Sequence, residues 1–284
     1  MHARRIDDPA PLEDIRAAAQ LLGVGHRDLR RQDQRAPGRT ERWLLESAGD
    51  VIATARLIER PDNRAFASFG GDVTAIPQLC DQMADSTMAR LCVGVDESDA
   101  ELVERLIGAG FQVEARIDSF TIAFEQAVRL FEKVTVPQGF SIVSATDADL
   151  DRMFTLDTAL RQDVPGCDGW RGDRLVFGAE FEQRPPFHPD GYLVAVDDQN
   201  GEYAGLIRMW RNLERPKLGL VGVSRQYRNT LLAAALLRRA LEASSTWGFA
   251  SFEADVSPAN PTIHRRLARL GAVQTSRRLQ MVRH

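Results

Sequence analysis

Apolar and polar positions follow the same succession twice along this chain. Trp43-Leu44-Leu45 leads into Gly49-Asp50 and out through Val51-Ile52-Ala53. Tyr192 to Val196 leads into Gly201-Glu202 and out through Tyr203-Ala204-Gly205-Leu206-Ile207. An apolar run on each side of a short glycine-acid turn predicts a β-hairpin in each half. Each hairpin is followed downstream by a strand, a short helix and a glycine stop. In the first half the strand is Ala89–Val95, Ser98 and Glu101 form a capping box, and the helix ends at Gly108–Gly110. In the second half the strand is Phe252–Val256, Asn260 caps a helix with Pro261 at its first position, and Gly271 ends it. Ile263, Leu267 and Leu270 make the buried stripe of that helix. Both halves close in an extended stretch, 119–124 and 279–282.

Two copies of one α/β unit are therefore expected. A proline-glycine punctuated segment at 134–139 follows an amphipathic helix over about 125–133, and the boundary is placed there, giving 1–135 and 136–284. The interval from the hairpin glycine to the helix-stop glycine is longer in the second copy. The excess falls at one place. The first copy has only Phe69-Gly70-Gly71-Asp72 and a short helix at 76–83, whereas the second has a strand through Val223, a polar turn and an alanine-leucine helix from Leu231 to Ser245 ended by Gly248.

Composition narrows the function classes. The 284 residues carry 36 basic and 40 acidic side chains, a formal charge of −4, so a nucleic-acid-coating protein is not expected. No apolar run reaches the roughly 18 to 20 residues of a membrane span. Three separated cysteines, Cys80, Cys92 and Cys167, without a CxxC pair, fit reduced thiols of a cytoplasmic protein. Five scattered histidines give no metal-binding spacing, so no metal is expected. All but two of the basic residues are arginine; only Lys133 and Lys217 are lysine.

Chemistry concentrates in the turn that the second copy adds. A strand feeding a helix through a polar turn aims unpaired amide N–H groups and the positive end of the helix dipole at one point, which suits an anion such as phosphate. Val223-Ser224-Arg225-Gln226-Tyr227-Arg228-Asn229-Thr230-Leu231-Leu232-Ala233 resembles the diphosphate loop of the GNAT N-acetyltransferases, whose pattern is roughly V-x-P-x-Y-R-G-x-G-x-G/A before a leucine-rich helix. Val223, Tyr227, Arg228 and Ala233 match; Arg225, Asn229 and Leu231 depart, and Leu231 suits the loop if its side chain turns into the core. Asp255-Val256-Ser257-Pro258-Ala259-Asn260, with Gly271 eleven residues on, resembles the family's E-V-x-x-x-N junction.

The resemblance covers the second half from Phe140 onward and implies a tandem GNAT fold: two α/β domains, each a mixed, mostly antiparallel sheet flanked by helices, with a degenerate N-terminal copy. Mycothiol synthase and some antibiotic acetyltransferases are similarly doubled. It implies acetyl-CoA as cosubstrate, held by the amides of Val221, Gly222 and Val223 and by Arg228, Asn229, Thr230, Leu231, Leu232, Ala233 and Asn260. Asp255 stands where related enzymes place a general base, and alternation puts Glu253 on the same face, so mutual repulsion is expected to raise one carboxyl pKa. The usual acid tyrosine is replaced by Leu267, leaving Ser257, His264 or water as proton source.

The acceptor is expected to meet the loop from Leu156 to Trp170, continuing to Glu182, which holds six acids and three arginines between 157 and 182. Asp157, Asp163, Asp168 and Trp170 are the candidate contacts, by charge and cation–π attraction to a small basic amine: an aminoglycoside, a basic peptide antibiotic or a polyamine-like molecule. Antibiotic resistance or self-protection would follow, in a monomer or homodimer. The alternatives are a non-catalytic acyl-CoA sensor and a mycothiol-synthase-like enzyme.

Overall fold

A computed structural model describes residues 1–6, 10–34, 40–60, 63–165, 167, 171–182 and 186–283. Two compact units result. The first comprises Met1–Arg116 with Arg277–His284, and the second Ile117–Ser276. These units do not divide at 135/136: the first gives up its chain nineteen residues earlier and takes back the C-terminal end.

In the first unit β1 (His2–Arg5), β2 (Thr40–Ser47), β3 (Asp50–Arg60), β4 (Arg64–Gly71), β5 (Arg90–Asp96) and the end of β12 (Val273–Arg283) lie side by side in that order. All neighbours are antiparallel except β4 and β5. Helices α1 (Leu12–Leu21), α2 (His26–Gln34), α3 (Ile76–Ser86) and α4 (Ala100–Gly108) complete it. Period-2 alternation along β2 explains why both sheet faces are covered. Leu45 joins Leu57, Leu79, Met83 and Leu106 in one core, while its neighbour Leu44 joins Ile15, Ala18 and Leu29 of α1 and α2 in another. The predicted hairpin turn is Ala48-Gly49, both with positive φ (52° and 91°). The helix start shifts by one residue from the expected capping box. Asp99 caps α4 by accepting the Leu102 N–H, because Ser98 Oγ donates instead to Asp96 at 2.6 Å. Cys80 and Cys92 are buried thiols, and burial pushes Cys80 up to about 12, so it packs as an apolar group.

The second unit orders the end of β6 (Gln112–Ala123), β11 (Ser251–Val256), β10 (Lys217–Val223), β9 (Tyr203–Trp210), β8 (Tyr192–Asp197) and β7 (Phe140–Ser144). Only β10 and β11 are parallel. On one face sits α8 (Leu232–Ser244), whose Leu232, Ala235, Leu236, Ala240 and Leu241 are buried at helical spacing. It packs beside α5 (Phe124–Phe131) and α9 (Pro261–Arg269), with Phe252, Ala254 and Leu267 in the shared core. On the other face Leu156 and Leu160 of α6 (Leu150–Arg161) meet Leu206 and Leu220, and α7 (Arg174–Ala179) adds Phe177. Each unit is thus a mixed α/β assembly whose sheet is mostly antiparallel, as the sequence implies.

Candidate active site

The site begins with a parting of strands. β10 pairs with β11 only at Lys217–Glu253 and Leu218–Ala254, although both strands continue beyond. A bulge explains the parting: the β9–β10 register slips between Leu218 and Leu220. Gly219 occupies the slip because a Cβ there would lie 2.2 Å from the Trp210 ring. Beyond the bulge the register is unbroken, and Ser224 N–H donates to the Ala204 carbonyl at 2.8 Å. Alternation then turns Leu220 and Gly222 toward β9 and leaves the N–H groups of Val221 and Val223 on the open side. These are two of the three strand positions expected to hold the cofactor; Gly222 faces α6, where a Cβ would meet Leu160 at 3.3 Å.

Past Val223 a single 3₁₀ turn, Arg225–Tyr227, leads to α8. Its internal bonds are few. Tyr227 N–H donates to Ser224 O, Thr230 N–H to Tyr227 O and Leu232 N–H to Thr230 Oγ. The N–H groups of Asn229, Leu231, Ala233 and Ala234 have no partner among the described residues, and no side chain caps the helix. Four orphan donors at one helix mouth present the kind of amide cluster that can receive an anion. Leu231 does not turn into the core as the sequence reading required: it is 63% exposed. Leu232 fills the core position instead, at 0%.

The corresponding turn of the first unit is already satisfied. There Asp72 caps the helical segment, accepting the Thr74 N–H at 2.9 Å and its Oγ–H at 2.7 Å. These bonds hold its carboxyl below the usual carboxylate range. The chain's own anion stands where the second unit offers free amides.

Asp255 lies at the parting, just past the last ladder pair. Its Oδ2 accepts from Lys217 Nζ at 2.7 Å and its Oδ1 from Ser119 Oγ at 2.8 Å. Glu253 accepts from Arg215 at 3.1 Å. The two carboxylates share a face, as alternation predicts, but each meets its own cation, so the expected mutual repulsion is replaced by two ion pairs. Ser257 Oγ accepts the Ala259 N–H in the turn after β11, and Asn260 Oδ1 caps α9 by accepting the Ile263 N–H at 3.2 Å. Leu267 is buried, as its stripe requires. His264 has Nε2 3.2 Å from the Ser257 carbonyl and 3.7 Å from buried Asp118, with its ring edge-on to Phe120. Asp118 lies on β6, in the first half of the sequence, so no local pattern connects it with His264.

The acceptor-side acids are mostly occupied. Asp157 is wholly buried between Arg161 (2.7 Å) and Arg208 (2.9 Å). Arg208 also binds Glu180 and lies 5.2 to 5.4 Å from the ring centres of Phe177, Tyr192 and Trp210. Burial lowers the Arg208 pKa and the Asp157 carboxylate opposes that shift. Asp157 is therefore part of the core, not an acceptor contact. Asp163 binds Arg225 at 2.6 Å and also Arg228, so it belongs to the anion loop. Asp173 caps α7 through the Val176 N–H. Asp168 and Trp170 lie outside the described residues. Glu180 and Glu182 form a short 3₁₀ turn after α7. Among the described residues no group of three or more metal-type ligands is found, and no helix is long and apolar enough to cross a membrane.

Residues 159–272 match the acetyltransferase (GNAT) family, a span that contains the parting, the anion loop and the Asn260 cap. That span is similar to a GNAT acetyltransferase domain. The fold is similar to that of a GCN5-related N-acetyltransferase from Sphaerobacter thermophilus, at 14% identity and TM-score 0.71 over 99% of this chain and 95% of that one. It is equally similar to a tandem GNAT protein from the clavulanic acid biosynthesis pathway, at 16% identity and TM-score 0.71 over 99% and 98%. A GNAT-family acetyltransferase from Colwellia psychrerythraea aligns over the full length of both chains at 11% identity and TM-score 0.57. No curated protein matches the chain. These likenesses show the fold, a tandem GNAT arrangement covering nearly the whole chain.

The Asp163 ion pairs have a consequence for binding. The guanidinium of Arg225, and then that of Arg228, holds the Asp163 carboxyl below its ordinary value of 3.8. The pairs therefore persist at neutral pH and are lost only as the pH falls through that lowered value. A diphosphate bound at this turn would compete with Asp163 for Arg228. Asp163→Asn should tighten CoA binding by about two- to five-fold, the size of one exposed ion pair, and steepen its salt dependence. Calorimetric titration at two salt concentrations checks this; weaker binding would show that Asp163 aligns the arginines for the ligand.

Proposed function

We propose that the second unit transfers an acetyl group from acetyl-CoA to the primary amine of a small molecule. The observation that carries this reading is the alignment of two features: amides freed by the parting of β10 and β11, and four orphan amides at the mouth of α8. A thioester running from one to the other would place its diphosphate on Asn229, Leu231, Ala233 and Ala234, with Arg228 alongside. Its pantetheine arm would lie along Val221 and Val223, within reach of Asn260, whose Oδ1 is committed to the helix cap. Strand N–H groups aimed at the thioester oxygen would stabilise the charge that develops there as the amine attacks.

Asp255 is the proton acceptor of this scheme. Held by Ser119 and Lys217 at the strand parting, it would take the proton from the incoming ammonium. Ser257, His264 or water would return one to the departing sulfur, and the Asp118–His264 pairing supports the histidine. With Asp157, Asp163, Asp173 and Glu180 engaged internally, the charge argument for a strongly basic acceptor rests on fewer groups, and an amine of modest charge fits equally well. The first unit, its helix mouth closed by Asp72, would bind no cofactor.

Thiol release from acetyl-CoA across a panel of amines tests the reading. Asp255→Asn should lower kcat by about 10²- to 10⁴-fold with the CoA dissociation constant nearly unchanged. Binding without thiol release for any amine would instead favour the acyl-CoA sensor, a reading motivated by the ion pair that already occupies Asp255.

A further inference from the structure

We infer that Lys217 is a self-acetylation site, its acetyl group supplied by an acyl-CoA thioester. The inference rests on the reading that such a thioester occupies the parting of β10 and β11. Lysine is nearly absent from this chain: 34 of 36 basic residues are arginine, whose guanidinium does not give up a proton to become a nucleophile. Of the two lysines, Lys133 is exposed after α5, and Lys217 opens β10 one residue before the last ladder pair with β11. About a quarter (26%) of the Lys217 side chain is exposed, so its amine is neither sealed in the core nor loose in solvent. Asp255 is its single partner among the described residues, at 2.7 Å. An aliphatic amine hydrogen-bonded to a carboxylate, at the point where the strands open, is the arrangement that an acceptor amine would adopt.

The step balances without any further reagent. Asp255 Oδ2 takes one proton from the Lys217 ammonium and passes it to solvent. The neutral Nζ attacks the thioester carbonyl carbon, the N–C bond forms and the C–S bond breaks. The second proton leaves nitrogen for the thiolate, giving acetyl-lysine, CoA thiol and one released proton. Acetylation removes the positive charge from Lys217. Asp255 then keeps Ser119 but loses the Lys217 ion pair, which frees its Oδ2 toward an external amine. The first turnover would thus prepare the site for later ones.

The full chain incubated with acetyl-CoA and no amine tests this by intact mass and peptide mapping. Expected is a gain of about 42 Da, one acetyl group, on Lys217. Labelling should be at least roughly ten-fold faster than at Lys133, which serves as the internal control for uncatalysed reaction. Lys217→Arg, which keeps a cation on Asp255, should remove the label, and Asp255→Asn should slow it. Calorimetry on the same samples separates the two failures. If acetyl-CoA binds and Lys217 gains no more acetyl than Lys133, self-acetylation is overturned and the cofactor site stands. If acetyl-CoA does not bind, the cofactor reading falls and the inference with it.

Discussion

Leu231→Asp is expected to abolish CoA binding while making the protein more stable. Leu231 is the uncapped first residue before α8, with its side chain largely in solvent. An aspartate there can accept from the orphan N–H groups and complement the helix dipole. A side-chain cap of this kind is worth about 0.5–2 kcal/mol. The same carboxylate would stand at the helix mouth, as Asp72 stands at the corresponding turn of the first unit, and would repel the diphosphate. A rise in Tm together with the loss of any calorimetric CoA signal is the predicted outcome. The two effects have opposite signs, so unfolding cannot mimic them. Retained CoA affinity would show that the ligand does not use this helix mouth.

Asp157→Ala should produce the largest loss of stability. Its carboxylate, with no exposed side-chain surface, sits between Arg161 and Arg208, and Arg208 is itself nearly sealed among aromatic rings. Removing the carboxylate leaves the guanidinium buried with, among the described residues, only the Glu180 carboxylate opposite. Breaking a buried pair by deleting one partner costs about 3–5 kcal/mol. Urea unfolding should show that loss in ΔG. Asp157→Leu combined with Arg208→Met should recover much of it, because removing both charges removes the unpaired one. A single-variant loss below about 1 kcal/mol would mean that water reaches Arg208. Since Asp157 lies in the core, CoA affinity should follow the folded fraction alone.

Local signals in the sequence located the elements around the candidate site. The turn before α8, the Asn260 cap and the glycine stop at Gly271 are set by residues within a few positions of one another, and the structure places them where periodicity and capping chemistry predict. The Ser98 cap failed by a single residue, because Asp96 offered that hydroxyl a nearer acceptor. What stayed hidden depends on distant segments. The sequence assigns Asp157 and Asp163 to the acceptor and Asp255 to proton transfer, yet Asp157 is buried by Arg208, Asp163 is held by Arg225 and Arg228, and Asp255 is paired with Lys217. Nothing local reveals these partners. The bulge at Gly219 is legible only once the Trp210 ring is seen against it. Of the terminal stretches 119–124 and 279–282, all but Phe124, which opens α5, are extended, but strand pairing decides which unit each completes, and pairing is not written in either stretch.

The central claim is that main-chain amides at the start of α8 grip a diphosphate. It is tested most directly by amide NMR of the full chain titrated with CoA. The predicted result is large shifts and slowed exchange at Asn229, Leu231, Ala233 and Ala234, followed by Val221 and Val223, with the turn at Asp72 unmoved. Shifts confined to Asp72 and α3, or none at the mouth of α8, would contradict it.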